Sequence, residues 1–194
     1  MTLTKKRCAW AGSDPLMVEY HDKEWGTPVH NDQELFEFLI LEGAQAGLSW
    51  ATILNRREGY RKAFANFDVQ KVAAFTDAEF EILITNPAII RNRLKINSAI
   101  NNAKQFIKVQ EEYSSFDSYI WGYVNHQAIH NQFKQLGDIP ASTELSVRIS
   151  KDLKKRGFSF IGPTICYAFM QAVGLVNDHI LDCFRYEEII RANK

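Results

Sequence analysis

Four residues able to bind a metal lie towards the two ends of the chain. Cys8 and His21 stand in the segment RCAW…EYHDKEWG, and His179 and Cys183 stand in VNDHILDC. His179 and Cys183 are four residues apart, so on a helical turn they would share a face. That pair needs two further ligands, and Cys8 and His21 are the candidates. Two thiolates and two imidazoles are a donor set that suits tetrahedral zinc. Such a site would join the N- and C-terminal segments and keep an irregular N-terminus folded. The alternative from residue type alone is that each Cys is a small buried hydrophobe and each His a satisfied core or surface residue.

A second group centres on Glu42, in LILEGAQAGLSW. Its helical neighbours are Phe38, Leu39, Ala46 and Gly47, and an acid on an apolar helix face is costly unless it is paired or used. Gly43 and Gly47, one turn apart, would thin the helix and let a flat ligand approach its backbone. An exposed Glu beside a kinked helix end is the plainer possibility. Trp10, Tyr20 and Trp50 lie in or beside irregular segments, where aromatics serve either as core or as stacking surfaces.

The third group is the run KKRGFSFIGPTICYAFMQAVGLVNDHILDC, from Lys154 to Cys183. A basic helix end stops at Gly157, where a positive φ closes a helix. A five-residue hairpin, Phe158 to Gly162, follows. Pro163 then takes the first helical position, and the next helix stops at Gly174. Helix, hairpin and helix over about 145–174 direct backbone amides and a helix N-terminus the same way, an arrangement that favours phosphate. Lys154, Lys155, Arg156, Gly157, Gly162 and Thr164 are the candidate contacts to a nucleic-acid backbone. Two basic runs, Arg91–Lys108 and Arg148–Arg156, sit in a chain whose formal net charge is zero, so a uniformly basic binder is excluded. Each run could also be simply a solvated helix face.

The elements that must hold these groups read as helices throughout. Helices are expected over Asn31–Leu48, from Ser49 through Trp50 to Phe64, from Asp68 to Phe75, after the Thr76/Glu79 capping box, from about Ile90 to Glu112, over Ser115–Val124, and from Ser142 or Thr143 to the hairpin. Residues 1–30 read as an irregular segment with one helical turn, and Asn125–Ala141 as a polar loop. No stretch shows period-two alternation with β-branched enrichment, so no sheet is expected. The fold class is all-α, a single domain over residues 1–194 with two helical lobes. With 46% hydrophobic and 24% charged residues, the composition is that of an ordinary globular chain. Three cysteines do not make a disulfide framework. MTLTKKRCAW lacks a leader's apolar core, and no stretch is long enough to span a membrane. The expectation is a cytoplasmic monomer.

The blocks RCAW…DPLMVEYHDKEWG, LEGAQAGLSW, RGFSFIGPT and VNDHILDC, in this order, resemble the DNA-3-methyladenine glycosylase I family of the helix-hairpin-helix superfamily. The resemblance runs from about Cys8 to Cys183. It implies one structural zinc per chain on Cys8, His21, His179 and Cys183. It also implies a pocket in which Glu42 hydrogen-bonds the purine, Tyr20 and Trp50 lie against its faces, and Trp10 is nearby. The implied substrate is double-stranded DNA with alkylated bases, and the implied product is free 3-methyladenine. Met17 stands where some relatives have a tyrosine. Many superfamily members read V-D-T-H where this chain has Val176, Asn177, Asp178 and His179, so Asn177 replaces the aspartate that assists cleavage. Thr164 stands where lyase-type relatives carry lysine. Hydrolysis without a Schiff base is the expected chemistry.

Overall fold

The Asp14 carboxylate accepts the N–H groups of Leu16 and Met17, and Pro15 follows at the first helical position, so α1 (Pro15–Lys23) begins there. This computed structural model describes residues 5–192; the two ends of the span expected to form one domain, 1–4 and 193–194, lie outside the described residues. The N-terminal segment is more regular than one helical turn, since a 3-10 turn, Ala9–Ala11, precedes the nine residues of α1.

The helix at the centre is α2 (Asp32–Gln45), started by the Asn31 side chain on the Glu34 N–H. Every residue from Leu35 to Ala44 is buried, including Glu37 and Glu42. A helix covered on all sides belongs in a core. It stops at Gln45, three residues short of the Leu48 expected from the pattern. The Lys95 ammonium explains part of that ending, donating to the carbonyls of Ala44 at 2.8 Å and Ala46 at 2.6 Å.

The single helix expected from Trp50 to Phe64 is two short ones, α3 (Trp50–Leu54) and α4 (Arg57–Ala63), with Ser49 capping the first. Asp68 caps α5 (Val69–Ala73), and the Thr76/Glu79 capping box starts α6 (Asp77–Thr85). Asn92 caps α7 (Arg93–Tyr113), followed by α8 (Phe116–Gly122). Thr143 caps α9 (Glu144–Lys155), and α10 (Pro163–Ala172) carries its proline at the first position. The last helix, α11 (Phe184–Ala192), was not anticipated. Helix α7 packs on α5, α8 and α2, while α10 packs on α9 and α2. The hydrophobic cluster runs continuously through these contacts, with Phe36, Phe106, Phe116, Trp121 and Phe169 almost wholly buried.

The expected absence of strands needs one correction. β1 (Ile129–His130) and β2 (Val176–Asn177) form a parallel pair, Ile129 opposite Val176 and His130 opposite Asn177. Two residues are too few to show a period, so the pairing was invisible in the pattern. It ties the polar 125–141 segment to the chain just ahead of His179. Gly174, at φ +73°, makes the turn into β2 at a point where a Cβ would fall 2.4 Å from the Thr27 carbonyl carbon. Among the described residues, no helix is long and apolar enough to cross a membrane.

Candidate active site and metal centre

A cavity of about 400 Å³ opens between α1, α2, α3 and α10. Trp10, Met17, Tyr20, Glu42 and Trp50 all line it. The sequence reading had therefore selected side chains from three separate segments that the fold brings together. The Tyr20 and Trp50 rings lie 5.1 Å apart between centroids, at 44°. Trp10 stands 6.2 Å from Tyr20 and 4.9 Å from Trp25. Trp25 lines the same space and was not singled out as a pocket residue. Nor were Tyr167, Ala168 and Gln171 on α10, or Leu136, Ile139, Pro140 and Ala141 from the segment read as a polar loop.

Glu42 is 4% exposed, and burial alone pushes its carboxyl up to about 8; no neighbouring charge or hydrogen bond contributes. Burial likewise raises the Tyr20 phenol, with Glu42 adding to the effect, so it stays neutral. The Trp50 indole N–H is buried without a partner among the described residues. Such a donor normally costs about 1–3 kcal/mol. The pocket thus combines aromatic faces, an acid held only by burial and an unspent donor nearby.

Gly43 does not serve the ligand approach expected of it. A Cβ there would lie 3.4 Å from the Phe160 carbonyl oxygen and 3.6 Å from the Phe160 Cβ, so the position accommodates the connector between α9 and α10. Gly47 lies beyond the end of α2 with φ +76°.

Cys8, His21, His179 and Cys183 are all buried, with their ligand atoms within 4.8 Å of one another. The Cys183 Sγ is 3.4 Å from His21 Nε2 and 3.4 Å from His179 Nδ1; the Cys8 Sγ is 3.6 Å from His179 Nδ1. Ligands at zinc bond lengths on a tetrahedron stand about 3.5 Å apart, so the spacing fits. The other nitrogens are also engaged. His21 Nδ1 lies 2.8 Å from the Asp22 carboxylate, which Arg7 holds in turn, and His179 Nε2 lies 2.9 Å from the Trp25 carbonyl. Those acceptors put the ring protons on the far nitrogens and leave the lone pairs facing the cluster. His179 and Cys183 meet through a turn closed by the Cys183 N–H on the Ile180 carbonyl, not on a helix. The cluster also supports the cavity: Trp10 follows Cys8 by two residues, Tyr20 precedes His21, and the Trp25 ring lies 4.6 Å from His179.

The model of the methyladenine glycosylase family matches residues 10–186. The chain belongs to that family. It is 49% identical over 181 residues to DNA-3-methyladenine glycosylase 1 of Escherichia coli K12, covering 93% of this chain and 97% of that protein. It is 48% identical to the Haemophilus influenzae DNA-3-methyladenine glycosylase, covering 91% and 96% respectively. A crystal structure of a 3-methyladenine DNA glycosylase I superposes with a TM-score of 0.90 at 48% identity, covering 92% of this chain and 98% of that one. The Staphylococcus aureus enzyme, studied for its recognition of 3-methyladenine, superposes with a TM-score of 0.89 at 38% identity, covering 92% and 95%.

In this member of the family, the α9–α10 connector is held from behind. Asn102 exchanges hydrogen bonds with the backbone of Ser159, at 2.9 Å each way; Asn101 binds the Gly157 carbonyl and Ser150 that of Ile161. Gly157 has φ +92°, as expected, but Phe160 also takes a positive φ, +53°. Lys154, Lys155 and Thr164 are exposed and Gly162 half-buried. Arg156 is engaged internally. Its guanidinium binds Glu112, Asp152 and the Tyr113 hydroxyl, and it lies over the Tyr113 and Tyr119 rings. Asn177 is wholly buried and does not border the cavity; its side chain donates to the Tyr186 carbonyl and accepts the His179 N–H.

Proposed function

We propose that this chain is a base-excision repair enzyme that hydrolyses the N-glycosidic bond of 3-methyladenine in alkylated duplex DNA, with no lyase step. The observation that carries the reading is Glu42, an acid without a counter-charge in a cavity lined by Tyr20, Trp50, Trp10 and Trp25. A base stacked inside a duplex is out of reach, so the target nucleotide must be flipped out into this cavity. N3-methylated adenine in DNA is cationic. The aromatic faces and the carboxylate therefore attract it more than a neutral adenine.

A cationic purine is already a good leaving group and needs no proton from the enzyme. Asn177 is occupied with the turn that carries His179, so it supplies no general base. Thr164 borders the cavity where a Schiff-base mechanism would need an amine. Water attacks the sugar as the base departs, and catalysis rests on binding the cation and holding it apart from the stack.

Cys8, His21, His179 and Cys183 would hold zinc. Four protein donors leave no position for water, so the ion's contribution is to cross-link the N- and C-terminal segments. The α9–α10 connector is read as the helix-hairpin-helix device. Lys154, Lys155 and the backbone from Gly157 to Thr164 contact phosphates there, while Arg156 braces α9 against α7. The test is release of base from methylated duplex by the purified protein. Liberated 3-methyladenine and an intact abasic strand are expected; no released base, or a product trapped by borohydride, would reject the reading.

A further inference from the structure

The basic run Arg91–Lys108 contains no acid, and the chemistry above does not use it. The structure sorts its cations. Lys95 turns inward to the carbonyls that end α2. Arg93 lies 3.6 Å from Glu81 and over the Phe80 ring, and Arg91 precedes α7. Lys104 and Lys108 are left, both exposed and one turn apart on α7. Glu112, one turn beyond Lys108, is taken by Arg156, and among the described residues no carboxylate pairs with Lys104 or Lys108. Arg156 thus withholds from Lys108 the acid that would otherwise neutralise it.

This face is continuous with the α9–α10 connector. Lys108 Nζ donates to Gln105 Oε1 at 3.1 Å, Gln105 Nε2 to Asn101 Oδ1 at 3.3 Å, and Asn101 Nδ2 to the Gly157 carbonyl at 2.8 Å. The row runs down α7 from the residue at which α9 gives way to the connector. Lys108 keeps its charge and its other N–H donors. Lys104 shares a recess with Asn97, Asn101 and, from the start of α6, Asp77, which offsets part of that lysine's charge. In a chain of zero net charge, a polyanion is held by where the cations stand, not by their sum.

We propose that the α7 edge formed by Asn101, Lys104 and Lys108 is a second contact to the duplex backbone, taking phosphates of a strand where it passes beyond the connector. The proposal rests on the glycosylase reading and deepens it: the partner is duplex DNA, gripped here without regard to sequence. Phosphates on one strand recur about every 3.4 Å along the duplex axis. Residues one turn apart on a helix stand about 5–6 Å apart at Cβ, so two flexible lysine stems can reach neighbouring phosphates. A merely solvated helix face would be equally exposed but would release no counterions on binding.

The experiment measures binding of an undamaged duplex between about 50 and 200 mM salt for wild type, Lys104→Ala with Lys108→Ala, and Lys104→Arg with Lys108→Arg. The alanine variant is expected to lower the log–log salt slope by about 1.8, one contact at roughly 0.9 for each lysine, while the arginine variant keeps the wild-type slope. Both side chains are exposed, so melting curves should stay close to wild type. A partly folded variant still reports its slope, because the slope compares one sample across salt concentrations. An alanine-variant slope within about 0.5 of wild type overturns the proposal, as does an arginine variant that falls with the alanine one. Base release from methylated duplex is read on the wild type alongside. Release of 3-methyladenine with an unchanged variant slope removes this surface alone, whereas release of no base removes the glycosylase reading and this proposal with it.

Discussion

Glu42→Gln separates the charge of the pocket acid from its shape, and the structure gives the effect a size. Burial lifts this carboxyl from 4.5 to about 8, so in the free protein at pH 7 it is mostly protonated. A cation about 4 Å away attracts the ionised form by roughly 4 kcal/mol at an effective dielectric near 20. Ionising the group at pH 7 costs about 1.4 kcal/mol of that. The remaining ~2.5 kcal/mol is roughly 70-fold in binding of the cationic base, and the variant should lose it. Because binding expels a proton, the sign of the pH dependence follows. Wild-type kcat/KM for 3-methyladenine should climb about 10-fold from pH 7 to just above 8 and then level, while Glu42→Gln stays flat. Stability runs the other way. A carboxyl raised in the folded state stabilises it below its ordinary pKa, and that contribution is lost as pH rises through about 8. Relative to the variant, free wild type should therefore lose roughly 4–5 kcal/mol between pH 4.5 and 8. Single-turnover release at subsaturating enzyme from pH 6 to 9, with melting curves on the same samples, reads both. A loss under 3-fold at pH 8, or the same rise in the variant, would refute the reasoning.

Two further outcomes follow from the metal cluster and the connector. Chelation, or Cys183→Ser, should lower Tm by roughly 10 °C or more and weaken base release together, because the cluster holds the N-terminal segment that carries Trp10, Tyr20 and Trp25; one zinc per folded chain by elemental analysis is the companion result, and full stability without metal would contradict it. Lys154→Ala with Lys155→Ala should reduce the log–log salt slope of undamaged-duplex binding by about 1.8, two phosphate contacts at roughly 0.9 each; an unchanged slope would remove these lysines from the interface.

How much of this was legible before the structure depended on how local the signal was. Gly157, Pro163 and Gly174 mark their boundaries through their own φ preferences or missing N–H, and all three stand where expected. Asn31, Ser49, Asp68, Thr76 and Thr143 cap helices for the same local reason. Glu42 was legible because an acid on an apolar face is conspicuous, and its burial agrees. Tyr167 and Gln171 were hidden because in sequence they are ordinary members of an amphipathic helix; only the packing of α10 on α2 turns them towards the cavity. The Leu136–Ala141 wall was hidden because its polar composition reads as loop. It holds a 3-10 turn, Leu136–Asp138, and is positioned by the β1–β2 pair, which is too short to leave a pattern. Arg156 read as a DNA contact because charge runs do not reveal their partners, and Glu112 lies 44 residues away in sequence.

The central claim is that the pocket selects a purine for its positive charge. Its most direct measurement is single-turnover release from two duplexes identical except for the target nucleotide, one carrying 3-methyladenine and the other hypoxanthine, which is neutral and needs help to leave. Release of 3-methyladenine with no enzyme-dependent release of hypoxanthine is the expected result; comparable rates on the two would contradict it.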